Sequence, residues 1–137
     1  MAISAGYGQG TFYVLAIPDD FADLYRLPQS VLNQLRNLLG RDVFVSLEGP
    51  DHVSLFAYDN RTFIVQNYQA QTVSPRVRVV RATCLRDLLT GQTIAAAPGG
   101  EAGFGGGGWG ARGFAGSGGK AFELTLPAHS FRVFAAE

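Results

Sequence analysis

Apolar positions along the chain follow two rhythms, one before residue 41 and another after it. Residues 11–17 form a continuous apolar run rich in β-formers, the pattern of a strand covered on both faces. Pro18, Asp19 and Asp20 end it. Val31, Leu32, Leu35, Leu38 and Leu39 then recur at helical spacing behind Pro28. They predict an amphipathic helix with Pro near its first turn and Gly40 as its stop. Strand, loop, helix and strand make residues 1–41 an α/β lead-in.

From residue 42 the period shortens to that of strands. Val43, Val45 and Leu47 alternate with polar or exposed neighbours and stop at Gly49-Pro50. Residues 53–58 and 62–68 flank Asp59-Asn60-Arg61. Asp and Asn tolerate positive φ, so a tight hairpin is expected there. Arg76-Val77-Arg78-Val79 alternates like a half-exposed strand. Residues 83–89 and 92–96 flank Thr90-Gly91, a second hairpin with glycine as its left-handed residue. Short strands at this spacing predict a mainly β fold over residues 42–137, an antiparallel β-sandwich preceded by one N-terminal helix.

One stretch follows neither rhythm. Twelve of the twenty-one residues 99–119 are glycine, with Phe104, Trp109 and Phe114 among them. Glycine at this density makes regular structure entropically costly, so a loop between two strands is expected. Gly103-Phe104-Gly105-Gly106-Gly107-Gly108 formally matches G-x-G-x-x-G, but no strand leads into it and no helix follows to meet a phosphate. Gly118-Gly119-Lys120 fails as a P-loop. Phe114 stands where its first glycine belongs, and Ala121 where Ser or Thr would meet magnesium.

Composition narrows the classes. The 137 residues are 47% hydrophobic, enough for a buried core, and 11 basic residues balance 11 acidic ones. Zero net charge, with Lys120 the single lysine, argues against a nucleic-acid surface. No apolar run approaches the roughly twenty residues of a membrane-spanning helix. Residues 1–6 lack the basic start and apolar core of a signal peptide, so the chain shows no address of its own. Cys84 is alone, which excludes an internal disulfide and multi-cysteine metal sites. Its apolar setting predicts a small core residue.

Candidate chemistry is sparse. His52 and His129 fall in predicted turns, and two histidines do not make a zinc site; His52 beside Asp51 reads as a solvated turn residue or half of such a site. A triad of Ser130, His52 and Asp59 can be written on paper, without a nucleophile elbow or oxyanion loop to support it. Asp19, Asp20 and Asp23 are the one carboxylate cluster. They suit a helix start better than the paired acids of a sugar hydrolase. Asp87 is placed to accept hydrogen bonds from its own turn. Arg76, Arg78, Arg81 and Arg86 read as an exposed edge kept soluble by charge, against the alternative of an anion site. Asn60-Arg61-Thr62 is a glycosylation sequon, although the turn already accounts for Asn60.

Aromatics carry the one binding alternative. Tyr58, Phe63, Tyr68, Trp109 and Phe114 are core residues or faces on which sugar rings stack. Trp109, Tyr68 and Tyr58 are the carbohydrate-binding candidates, and Trp109 is the hardest to place in a core.

Asp87-Leu88-Leu89-Thr90-Gly91 and the later Leu124-Thr125-Leu126-Pro127-Ala128-His129-Ser130 resemble the D-L-x-T-G hairpin and L-x-L-P-x-H-S ending of glycoside hydrolase C-terminal sandwiches. The hairpin over residues 53–68 is similar to a strand pair of the same domain. Residues 11–39 resemble the last strand and helix of an amidotransferase-like α/β domain that precedes the sandwich in some β-galactosidase-like enzymes. The glycine-rich residues 99–119 depart from the pattern. What the resemblance implies is a non-catalytic accessory domain without cofactor or metal, packed on a neighbouring domain of its parent enzyme, because the family's catalytic residues belong to another domain. A carbohydrate-binding module is the alternative, and an independent enzyme the third reading. An inter-domain face would show as exposed apolar residues, with Phe12, Tyr13 and Tyr25 as candidates.

Overall fold

The computed structural model describes residues 2–16, 19–98 and 119–137. Strands β1 (Ala2–Tyr7) and β2 (Gly10–Leu15) form an antiparallel hairpin of their own. A 3-10 turn (Phe21–Arg26) and helix α1 (Gln29–Leu39) follow. Then come β3 (Val45–Glu48), β4 (Val53–Ala57), β5 (Thr62–Asn67), β6 (Arg76–Val79), β7 (Cys84–Asp87) and β8 (Thr93–Ala95). Strands β9 (Lys120–Glu123) and β10 (Phe131–Ala136) complete the order. Two antiparallel sheets, β4-β5-β10-β7-β8 and β3-β6-β9, make the sandwich.

Alternation puts one face of each sheet inside. Val45, Leu47, Val77, Val79 and Phe122 of the smaller sheet meet Phe63, Val65, Leu85 and Phe134 of the larger one. Phe63 and Phe134 pair side by side across β5 and β10, with ring centroids 5.3 Å apart. Strand β10 occupies the middle of the larger sheet and holds the hairpins β4–β5 and β7–β8 together.

Turn chemistry follows the expected places, and in one of the two hairpins a different residue takes the left-handed conformation. Gly91 supplies the left-handed residue of the β7–β8 turn (φ 75°). In the β4–β5 turn that position belongs to Arg61 (φ 63°), not to Asp59 or Asn60. The Asn60 carboxamide oxygen accepts from Thr62 N and Oγ1, and the Arg61 guanidinium donates to the Val80 and Arg81 carbonyls. At Gly119 a Cβ would come within 2.8 Å of the Val79 backbone, so only glycine lets the chain enter β9 this close to β6.

Helix α1 begins after Pro28 and ends at Gly40, as its pattern predicts. No residue of it is fully buried; Leu32, Leu35 and Leu38 are half-covered and Leu39 is exposed. Polar groups fasten it to the β3–β4 turn. Arg36 Nη1 donates to the Gly49 carbonyl at 2.7 Å, and Nη2 to those of Pro50 and Val53 at 2.8 and 3.1 Å. Asn33 Oδ1 accepts from Gly49 N at 3.1 Å.

Three expectations are corrected. The apolar run at residues 11–17 is not a strand covered on both faces. Its described part pairs with β1 alone, and Phe12 and Val14 stand in solvent. Arg76 and Arg78 do not lie on an edge: β6 is the central strand of its sheet, and they pair across it with Glu123 and Glu48. Cys84 is half-exposed on β7, one residue from the buried Leu85, so alternation keeps it out of the core.

Candidate functional site

The candidate sites among the described residues are two exposed apolar sheet faces and a seam beside helix α1. The first is on hairpin β1–β2. Residues opposite one another in an antiparallel pair share a face, so Ile3 with Val14, Ala5 with Phe12, and Tyr7 with Gly10 form one apolar side. It is open to water, with Phe12 63% exposed. Tyr13 is on the opposite face, half-buried, and its hydroxyl lies 3.4 Å from Arg41 Nη1. Phe12, Tyr13 and Tyr25 therefore do not form one patch. Phe12 belongs to the apolar side, Tyr13 to the opposite one, and Tyr25 stacks on His52 elsewhere.

The second is the outer face of the larger sheet. Phe56, Tyr58, Ile64, Gln66 and Phe131 surround a shallow hollow of about 380 Å³. Phe56 is opposite Ile64, Ile64 opposite Val133, and Gln66 lies between Ser54 and Phe131. Tyr58 N donates to Thr62 O, which adds one further row. Of the carbohydrate candidates, Tyr58 stands here, 49% exposed. Tyr68 is exposed just beyond β5 and does not line the hollow. Trp109 lies outside the described residues, as do Phe104 and Phe114. Phe63 is in the core. Phe56, Gln66 and Phe131 escaped the sequence reading, and the period-2 pattern of β4 and β5 was the available signal.

The seam lies where the 3-10 turn and α1 meet the β3–β4 turn. Tyr25, Leu32, Arg36, His52 and Ser54 are among the residues that border its hollow of about 190 Å³. Rings of Tyr25 and His52 stack at 4.5 Å, and His52 Nδ1 is 3.0 Å from Asp51 Oδ2. Burial pushes the Arg36 guanidinium below its ordinary range, while Asp51 acts the other way. The triad of Ser130, His52 and Asp59 does not form. Ser130 Oγ donates to the Pro127 carbonyl, and Asp59 lies beyond the far end of β4 from His52. Asp20 caps the 3-10 turn through Ala22 N and Asp23 pairs with Arg26, so these carboxylates serve a helix start. Among the described residues no cluster of His, Cys, Asp or Glu could hold a metal ion.

Asp87 is the most constrained ionisable group of the sandwich. Its side chain is 0% exposed. Oδ1 accepts from Leu89 N and Thr90 N at 2.8 and 3.1 Å, the local role expected of it. Oδ2 accepts from Arg132 Nε at 2.6 Å, a partner on β10 that nothing near Asp87 announces. Burial pushes this carboxyl up. The Leu89 amide, the Arg132 guanidinium and the Thr90 amide outweigh it and hold the carboxyl below its ordinary range. These bonds tie the D-L-x-T-G turn to the strand that follows the L-x-L-P-x-H-S corner. Residues 44–136 match the family described as "Probable glycosyl hydrolase, C-terminal domain".

The chain belongs to that family. No curated protein and no solved structure matches it. The match to the glycosyl hydrolase C-terminal domain covers both sheets of the sandwich and leaves the hairpin and α1 outside. Both sequence motifs of the resemblance lie within it. Asp87 and Arg132, one from each motif region, meet as an ion pair in the fold.

Proposed function

We propose that this chain is a non-catalytic accessory domain that supports a carbohydrate-active enzyme by packing hairpin β1–β2 against a neighbouring domain. The observation that carries the reading is the open side of the hairpin, where Ile3, Val14, Phe12 and Tyr7 face water together. A two-stranded hairpin is at best marginally stable alone and needs a third strand or a packed layer. Contiguous exposed apolar surface of this kind marks contact sites. Inter-domain faces typically bury about 600–1,500 Å², to which the hairpin would contribute the apolar centre. In this reading residues 1–41 make the contact and residues 42–137 are the rigid body behind it.

Hydrogen exchange of the chain alone and of the chain joined to the enzyme domain that this reading gives it as a neighbour tests this. Amides of residues 2–15 should exchange rapidly in the isolated chain and become protected in the enzyme. Replacing Tyr7 and Phe12 together by Ser should remove that protection. Equal protection in both proteins, or none in the enzyme, would overturn the proposal.

A further inference from the structure

We infer that the outer face of sheet β4-β5-β10-β7-β8 is a platform for a neutral oligosaccharide. Three aromatic side chains stand on it. Phe56 on β4 and Tyr58 just past its end are two residues apart on one side, a separation of about 7 Å along an extended chain. Phe131 is two strands away, about 10 Å across the sheet. The rings thus mark the corners of an area that suits a short chain of sugars.

Polar groups in the Phe131 row, at one margin of the platform, narrow the occupant. Gln66 lies between Ser54 and Phe131 in one row. Among the described residues neither the Gln66 carboxamide nor the Ser54 hydroxyl has a hydrogen-bond partner within the protein, whereas the Asn67 and Gln69 side chains nearby are fully engaged. An apolar protein surface laid on this face would strand both groups, and an unmade hydrogen bond is costly once water is excluded. A sugar meets both demands, with C–H groups for the rings and hydroxyls for the amide. Recognition sites commonly have this make-up, an apolar floor with a few polar groups fixing orientation.

Charge selects the class of sugar. No position in the three rows that run from Ser54, Phe56 and Tyr58 across β5 to β10 carries a charged side chain. On the smaller sheet, in contrast, Arg76 and Arg78 are paired outward with Glu123 and Glu48. Beyond β10 the same face carries Arg86 beside Ala135, but its guanidinium is paired with Glu137 at 2.8 Å. The face therefore presents no uncompensated cation to a uronic acid or a sulfated glycan, and the ligand is a neutral glycan. This inference does not rest on the docking of hairpin β1–β2, which is a separate surface.

Affinity electrophoresis of the full chain decides it, with starch, a β-glucan, a galactan and a xylan as neutral probes and pectate and heparin as acidic ones. At least one neutral polysaccharide should retard the protein, without dependence on salt. Tyr58→Ala and Phe131→Leu should each weaken that binding about tenfold, with thermal unfolding showing both variants folded. Phe131→Leu keeps the surface apolar and removes only the ring; Phe131→Tyr keeps the ring and should retain binding. Replacement of Phe12 on the hairpin should change nothing. No retardation by any neutral probe, retardation by the acidic probes alone, or binding indifferent to Tyr58→Ala and Phe131→Leu would each overturn the inference.

Discussion

Hairpin β1–β2 and the sandwich are both antiparallel and both alternate, yet they treat apolar side chains in opposite ways. In the sandwich the inward positions of β5, Phe63 and Val65, are fully covered by the second sheet. In the hairpin the equivalent side, Ile3, Phe12 and Val14, meets water. Outward positions differ as well. Those of the smaller sheet carry matched ion pairs, Arg76 with Glu123 in solvent and Arg78 with Glu48 partly covered. The open side of the hairpin carries none. Pairing is the same in both; what separates them is the chemistry of the face that pairing leaves over.

The widest contrast to test is one ring for another. Phe122→Ala, in the core between the sheets, should cost about 3–5 kcal/mol. Phe12→Ala in the isolated chain should fall within about 0.5 kcal/mol of the parent. Urea unfolding of both variants reads this directly, and similar losses would erase the distinction.

Next in size is the buried pair that ties the β7–β8 turn to β10. Asp87→Asn should cost roughly 3 kcal/mol at neutral pH, because Arg132 loses its counter-charge beside a covered site. The sign of the pH dependence follows from a folded-state pKa below the unfolded value of about 3.9. Stability from this carboxylate is complete well above that value and is lost as pH falls through the lower, folded one. The deficit of Asp87→Asn should therefore shrink in strong acid, as unfolding curves at neutral pH and at about pH 2 will show.

Arg36→Met probes the boundary between the two regions. It leaves the carbonyls of Gly49, Pro50 and Val53 without their donor and should cost about 2 kcal/mol. Hydrogen exchange should show α1 loosening while the amides of β5 and β10 keep their order of protection. Arg76→Ala should also be a small effect, below about 1 kcal/mol in thermal or urea unfolding, since both it and Glu123 are well exposed.

Much of the sandwich was readable because its turns are local. Thr90-Gly91 and the Asp59-Asn60-Arg61 segment sit between strands that alternate cleanly, and Pro28 and Gly40 bracket a helical stripe. Strand β1 was not readable. Ala2, Ser4, Ala5 and Gly6 carry little β propensity, and only pairing with β2 makes them a strand. Strand order was equally hidden, so Arg76 and Arg78 read as an edge when β6 is central. Of the candidate site residues, Tyr58 lies in a hollow whose other aromatics, Phe56 and Phe131, come from positions far apart in the chain. Positive φ at Arg61 and Arg81 had no cue in residue type, whereas His52 and His129 are of a type enriched in that region. The Asp87–Arg132 pair spans 45 positions, and no local pattern encodes a contact at that range.

The central place of β10 also bears on the order of events during synthesis. Hairpins β4–β5 and β7–β8 are each complete long before β10 leaves the ribosome, but neither touches the other within their sheet until it arrives. Two half-sheets, each with an open edge, must wait through the translation of everything between β8 and β10. Closure is then one late event that joins both hairpins at once. Such non-local closure slows folding and prolongs the exposure of unpaired edges. Weakening β10 should therefore lower the yield of folded protein in cells more than its effect on equilibrium stability alone would indicate.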